Sequence, residues 1–151
     1  MSADVTNSGP RIVVGVDGSP SSRAALRWAI RYADLADGTV DAVMAWHVPS
    51  MLGSYPWASI DETDDLRGSA LKALEAVLKA EVEADDSHLA SAEVVNGHPA
   101  EVLLHAAAGA ELLVLGSRGH GRFAEALLGS VAQHCVHHAH CPVLIVRDGP
   151  T

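Results

Sequence analysis

At 151 residues, 48% hydrophobic but only 4% aromatic, the chain suffices for one domain whose core is Val, Leu, Ala and Ile. A formal net charge of −9 argues against nonspecific binding to DNA or anionic membrane, and no apolar run is long enough to span a bilayer. The opening "MSADVTNSGP" lacks the basic-then-apolar pattern of an export signal, so a cytoplasmic location is expected, with Cys135 and Cys141 as free thiols.

"RIVVGVD" (11–17) reads as a buried strand closed by the turn signal Asp17-Gly18-Ser19-Pro20. Ser19 followed by Pro20 starts a helix running to about Ala36, with Leu26, Ala29, Ile30 and Ala33 at helical spacing and Gly38 as its stop. "TVDAVMAWHV" (39–48) predicts a second strand, whereas 49–60, with two prolines and no regular period, reads as a loop. Residues 61–84 predict a second helix, with Leu71, Leu74, Leu78 and Val82 on one side. "ASAEVVN" (90–96) is a third strand, and Gly97-His98-Pro99 opens a third helix that Gly109 stops. "ELLVLG" (111–116) is a fourth strand, Phe123 to His138 a fourth helix and "PVLIV" (142–146) a fifth strand. Strands that alternate with helices imply an α/β fold with parallel strands and right-handed crossovers. A single domain is expected over 10–147, with flexible tails at 1–9 and 148–151.

"GSRGHGRFAEALLGS" (116–130) holds glycines at both ends of an apolar stretch. It follows the fourth strand, and in open α/β sheets ligands sit at the carboxyl ends of strands near a topological switch point. Glycines let a backbone approach closely and turn its N–H groups inward, while a helix N-terminus adds partial positive charge. Arg118 and Arg122 add local charge before Glu125, which fits a phosphate in an otherwise acidic chain. Gly116 and Gly121 have the outer spacing of a Walker A loop, but Arg122 and Phe123 stand where its Lys and Ser/Thr belong. A ligand-free strand–turn–helix junction is the plainer alternative.

Gly116-x2-Gly119-x9-Gly129-Ser130 resembles the G-2x-G-9x-G-(S/T) motif of the ATP-binding universal stress proteins. "VVGVDGS" resembles that family's first strand and acidic turn, "AWHV" its second-strand end, and "HCPVLIVR" its last strand. The resemblance implies a Rossmann-like, open, doubly wound five-stranded parallel sheet of order 3-2-1-4-5 with four helices. It implies ATP, with Mg²⁺, across the ends of strands 1 and 4. The site residues it implies are Gly15, Asp17, Val48, Gly116, Ser117, Arg118, Gly119, His120, Gly121, Arg122, Gly129, Ser130 and Val131. Val48 enters through its main chain at the adenine. Asp17 enters as a contact to the nucleoside or to phosphate-bound Mg²⁺, beside its local role as a turn former. The implied function is a nucleotide-dependent regulator in stress adaptation. A slow ATPase or nucleotide transferase is the enzymatic alternative, and an interaction module with an empty site is the third.

His120 either hydrogen-bonds a terminal phosphate or faces water, and no nucleophile–base pair of recognisable spacing accompanies it, so no catalytic residue is assigned. In "HCVHHAHC" (134–141), His134 and His138 are four apart, as two zinc ligands can be. Leu127, Val131 and Cys135 mark the core face of that helix, which puts the histidines near its rim, and no carboxylate-rich segment accompanies them. No resident metal is therefore expected. Val143, Leu144, Ile145 and Val146 form an apolar edge strand in the implied order, which suggests a homodimer paired through it.

Overall fold

A computed structural model describes residues 9–47, 60–118 and 128–148, with backbone alone for 60–63. Val48, the loop 49–59, Gly119, His120, Gly121, Arg122 and Phe123–Leu127 lie outside the described residues, as do 1–8 and 149–151. In chain order the elements are β1 (Arg11–Gly15), α1 (Pro20–Ala36), β2 (Thr39–Trp46), α2 (Ile60–Glu81), β3 (Leu89–Asn96), α3 (Pro99–Ala106), β4 (Leu112–Gly116), α4 (Ser130–His138) and β5 (Val143–Val146). All neighbouring strands pair in parallel in the order β3-β2-β1-β4-β5, the doubly wound topology expected of the sequence. The chain reverses direction across the sheet between β1 and β4, which creates the switch point there.

Period-two alternation divides the core into two layers. Ile12, Val14, Val40, Ala42, Met44 and Val114 pack with Leu26, Ala29 and Ala33 of α1 and Leu74 and Val77 of α2. Val13, Val43, Leu113 and Leu115 point the other way, against Val102 and Leu103 of α3 and Ala132 and Cys135 of α4. β1 and β4 are short and covered on both faces, which is why they read as continuous apolar runs rather than alternating ones.

Helix α1 ends at Ala36 as expected and α2 at Glu81 rather than at residue 84, but the residue that stops α1 and the start of α4 differ from the sequence expectation. The left-handed residue that ends α1 is Asp37, at φ 56°, and the Gly38 N–H closes the turn on the Ala33 carbonyl at 2.8 Å. Gly38 itself is required by close packing, since a Cβ there would meet the Pro10 carbonyl oxygen and, at 3.0 Å, the Pro10 ring. The larger correction concerns α4, which begins at Ser130 and not in one run from Phe123. Gly129 is extended (φ −69°, ψ 166°), and its N–H donates to the Ser117 carbonyl at 2.7 Å, so the chain is tied to the end of β4 before it can turn helical.

Helices α1 and α2 are joined by one compact ionic contact. The Glu81 carboxylate accepts from Arg27 Nη1 at 2.6 Å and from Arg23 Nη1 at 3.2 Å. The Arg27 hydrogen bond, with Arg23 and both positive charges assisting and desolvation opposing, holds the Glu81 carboxyl below its usual range. A lowered folded-state pKa contributes stability that is complete above the unfolded value and is lost as pH falls through the folded one. We therefore expect Glu81→Gln to destabilise the fold at pH 7 by about 1 kcal/mol or less, because Arg27 is half exposed. Thermal unfolding at pH 7 and pH 3 should show that deficit shrinking in acid; a deficit equal at both pH values would refute the assignment.

Candidate functional site

A cleft of about 570 Å³ opens at the carboxyl ends of β1 and β4. Gly15, Val16 and Asp17 supply one wall, and Leu115, Gly116 and Arg118 supply the next. Val43 and Ala45 of β2 with Pro99 and Leu103 of α3 make an apolar end. The opposite end is the first turn of α4, with Gly129, Ser130, Val131, Ala132 and Gln133. The volume lies within the ~300–1,000 Å³ of ordinary small-molecule sites.

The α4 end is built to receive negative charge. Gly129 is the N-cap and carries no side chain, so no side chain caps the first turn. The first N–H groups of a helix have no partner within the helix, and they lie at its positive pole. The Gln133 N–H makes the first helical bond, to the Gly129 carbonyl at 3.0 Å, and the Gln133 side chain holds the Leu128 carbonyl at 3.0 Å. Arg118 lines the neighbouring wall of the same cleft.

The floor between β1 and β4 is fixed by serines at the start of α1. Ser21 Oγ donates to the Arg118 carbonyl at 2.7 Å and accepts from the Arg118 N–H at 3.2 Å. Ser19 Oγ reaches the same carbonyl at 3.3 Å while also accepting from the Ser22 N–H. Asp17 Oδ1 accepts from the Ser19 N–H at 2.8 Å, and Gly18 turns the chain at φ 83°. Asp17 thus has the turn-forming role expected of it and also lines the cleft.

Of the thirteen expected contacts, Gly15, Asp17, Gly116, Arg118, Gly129, Ser130 and Val131 are brought together around this one space. Ser117 is buried behind it, its N–H on the Val146 carbonyl at 2.8 Å and its carbonyl on Gly129. Val48, Gly119, His120, Gly121 and Arg122 lie outside the described residues. Sequence reasoning missed Val43, Ala45, Pro99, Leu103 and Gln133 as wall residues and Ser19 and Ser21 as its anchors. The same-face spacing of Val43 and Ala45 on β2 is the signal that leads to the first two.

Cys135 is buried and free, and burial pushes its thiol up to about 11; Cys141, also free, is shifted upward by burial too. Neither thiol is activated. His134, His137 and His138 are exposed, on the rim of α4 as its core face requires.

Known proteins share this architecture. A model of the Universal stress protein family matches residues 10–147. Universal stress protein Rv1996 of Mycobacterium tuberculosis is 36% identical over 166 residues, covering 99% of this chain and 51% of that protein. Rv2623 of the same organism is 36% identical over 150 residues, covering 94% and 49%. The chain thus spans about half the length of the curated relatives it matches. Among solved structures, hypothetical protein MJ0577 superposes with a TM-score of 0.79 at 22% identity, covering 94% of this chain and 98% of that one. A universal stress protein in complex with cAMP superposes at 0.68 with 28% identity, covering 93% and 99%. An Arabidopsis thaliana family protein with AMP bound superposes at 0.62 with 21% identity, covering 93% and 92%. An open parallel sheet of order β3-β2-β1-β4-β5 with a cleft at its switch point is a doubly wound α/β architecture. This chain belongs to the universal stress protein family.

The fit of Gly116 yields a test. A Cβ at Gly116 would lie 2.6 Å from the Ser21 carbonyl carbon and the Ser22 nitrogen, and backbone there has no room to yield. Gly116→Ala should lower ligand-free stability by about 2 kcal/mol through overpacking, a loss of about 4–8 °C in the unfolding midpoint. Gly68, with nothing within 4 Å of its Cβ position in α2, is the control. Gly68→Ala should raise stability by about 0.5–1 kcal/mol. An unchanged midpoint in Gly116→Ala would assign that glycine to ligand approach alone.

Proposed function

We propose that the cleft binds an adenine nucleotide, with ATP and Mg²⁺ as its ligand, and that occupancy makes the protein a nucleotide-dependent regulator in stress adaptation, acting in the cytoplasm. The observation that carries this reading is the pairing of two unlike ends in one cleft. An uncapped helix N-terminus beside Arg118 suits phosphate, and Val43, Ala45, Pro99 and Leu103 suit a flat base. The cAMP-bound relative at 28% identity supports the same ligand class. Asp17, which lines the cleft at the β1 end, is the proposed contact to a phosphate-bound Mg²⁺. Gly119, His120, Gly121 and Arg122 are the proposed remainder of the phosphate loop, and the Val48 main chain the proposed adenine contact.

Gly129→Asp tests this directly. Its backbone angles suit any residue, and an aspartate N-cap strengthens a helix start. The same carboxylate would occupy the α4 N–H groups and repel phosphate. Calorimetric titration with Mg-ATP should show affinity at least tenfold lower, about 1.4 kcal/mol, with the unfolding midpoint unchanged or raised. Equal affinity in the folded variant would remove the helix N-terminus from the site.

We also propose a homodimer paired through β5. That strand lies at the sheet edge, and Val143, Leu144, Ile145 and Val146 are each only partly buried. The Pro142 and Val146 carbonyls accept from Leu113 and Ser117, so the alternate residues Val143 and Ile145 present their main chain outward. Antiparallel pairing with a second copy would satisfy them. Light scattering at micromolar concentration should give twice the monomer mass. Val143→Pro, which removes one outward N–H at the first position of the strand, where proline is tolerated, should shift the mass toward the monomer. A monomer at every concentration would overturn the proposal.

A further inference from the structure

The far end of α4 carries chemistry that the cleft does not use. His134 and His138 are both exposed, with ring centroids 4.4 Å apart and planes tilted by 36°. Helical i,i+4 spacing puts them on one face, and the two rings are in contact. An ion ~2.0 Å from a ring nitrogen lies ~3.2 Å from that ring's centroid. Two imidazoles at right angles around one ion then have centroids ~4.5 Å apart, close to the spacing α4 provides, whereas a tetrahedral pair needs ~5.2 Å. Right-angled imidazole ligands belong to tetragonal or octahedral ions.

We propose that His134 and His138 form an open, two-point site for a divalent late transition-metal ion of the Cu²⁺ and Ni²⁺ class, with water completing its coordination. His138 sits in the last turn of α4, where the helix pole is negative, on a chain of net charge −9. Among the described residues no group of three His, Cys, Asp or Glu closes around an ion, so the site is a surface chelate and not a structural cage.

A second histidine pair in the same molecule makes the contrast internal. His47 and His98 stack at 5.5 Å with planes only 17° apart. His98 is the N-cap of α3, at a positive helix pole that disfavours a cation.

Titration calorimetry on the intact, nucleotide-free chain in a non-chelating buffer tests the site. One Cu²⁺ or Ni²⁺ should bind per chain, both more tightly than Mn²⁺, with no heat from Mg²⁺. His134→Ala or His138→Ala should each weaken Ni²⁺ binding at least tenfold. His137→Ala and His98→Ala should change it less than twofold. All four side chains are exposed, and circular dichroism checks that each variant is folded. Survival of the tight step in the His134→Ala/His138→Ala double variant, or its loss in His98→Ala, would overturn the assignment.

Discussion

The cleft depends on one close approach, where the end of β4 meets the start of α1. Gly116 lets the strand come within contact of the Ser21 and Ser22 backbone, and no residue with a Cβ fits there without moving main chain. Once the approach is made, Ser21 both gives and receives a hydrogen bond at Arg118, and Ser19 adds a third. These serines are buried, so each bond replaces one that water would otherwise have made, and losing a partner would leave a buried polar group unmet. Packing and polar satisfaction thus fix the same five residues. The end of β4 is thereby a fixed base up to Arg118.

From that base the second tie follows. Ser117 is held by β5 through its N–H and holds Gly129 through its carbonyl. The eleven residues between them must leave and return over a short span, whatever path they take. Their return point is the N-terminus of α4, which lines the same cleft as Arg118. The charge distribution then makes sense at the scale of the whole chain. An acidic protein keeps anions away in general, and a local site must concentrate positive potential to admit one. Backbone N–H groups do this without adding another titratable side chain.

The layers of the fold were legible because strand alternation and helix spacing are strong, repeated signals. β1, β2 and β4 each send successive residues to opposite cores, and that period-two rule needs no tertiary information. What was not legible depends on contacts between distant segments. Gly116 looks like a loop glycine, and only the presence of α1 across from it reveals a packing constraint. Ser21 and Ser22 look like ordinary first-turn residues until Arg118 is placed against them. The start of α4 was hidden for a related reason: Phe123–Leu128 has helical spacing, so nothing local announces that Gly129 is tied to Ser117. Val43, Ala45 and Leu103 read as core because a cleft wall and a core use the same side chains, and only the missing layer above them distinguishes the two.

Helix α4 is a short element whose N-cap residue has no side chain to close its first turn. Gly is a weaker N-cap than Asp, Asn or Ser, and here no side chain closes the first turn. A nine-residue helix is marginal on its own, so the loss must be offset by packing. Ala132 and Cys135 supply it, both buried against Val102 and Leu103 of α3 and the Leu113 and Leu115 face of β4. This assigns the two faces of α4 to different tasks. The inward face holds the helix in place through apolar contact, and the exposed face is free to carry histidines that contribute nothing to the core. The N-terminus can then remain open because its position, and not its capping, keeps it formed. A bound anion at that end would stabilise the helix in the way a cap does elsewhere, so ligand and helix order are coupled through the same N–H groups.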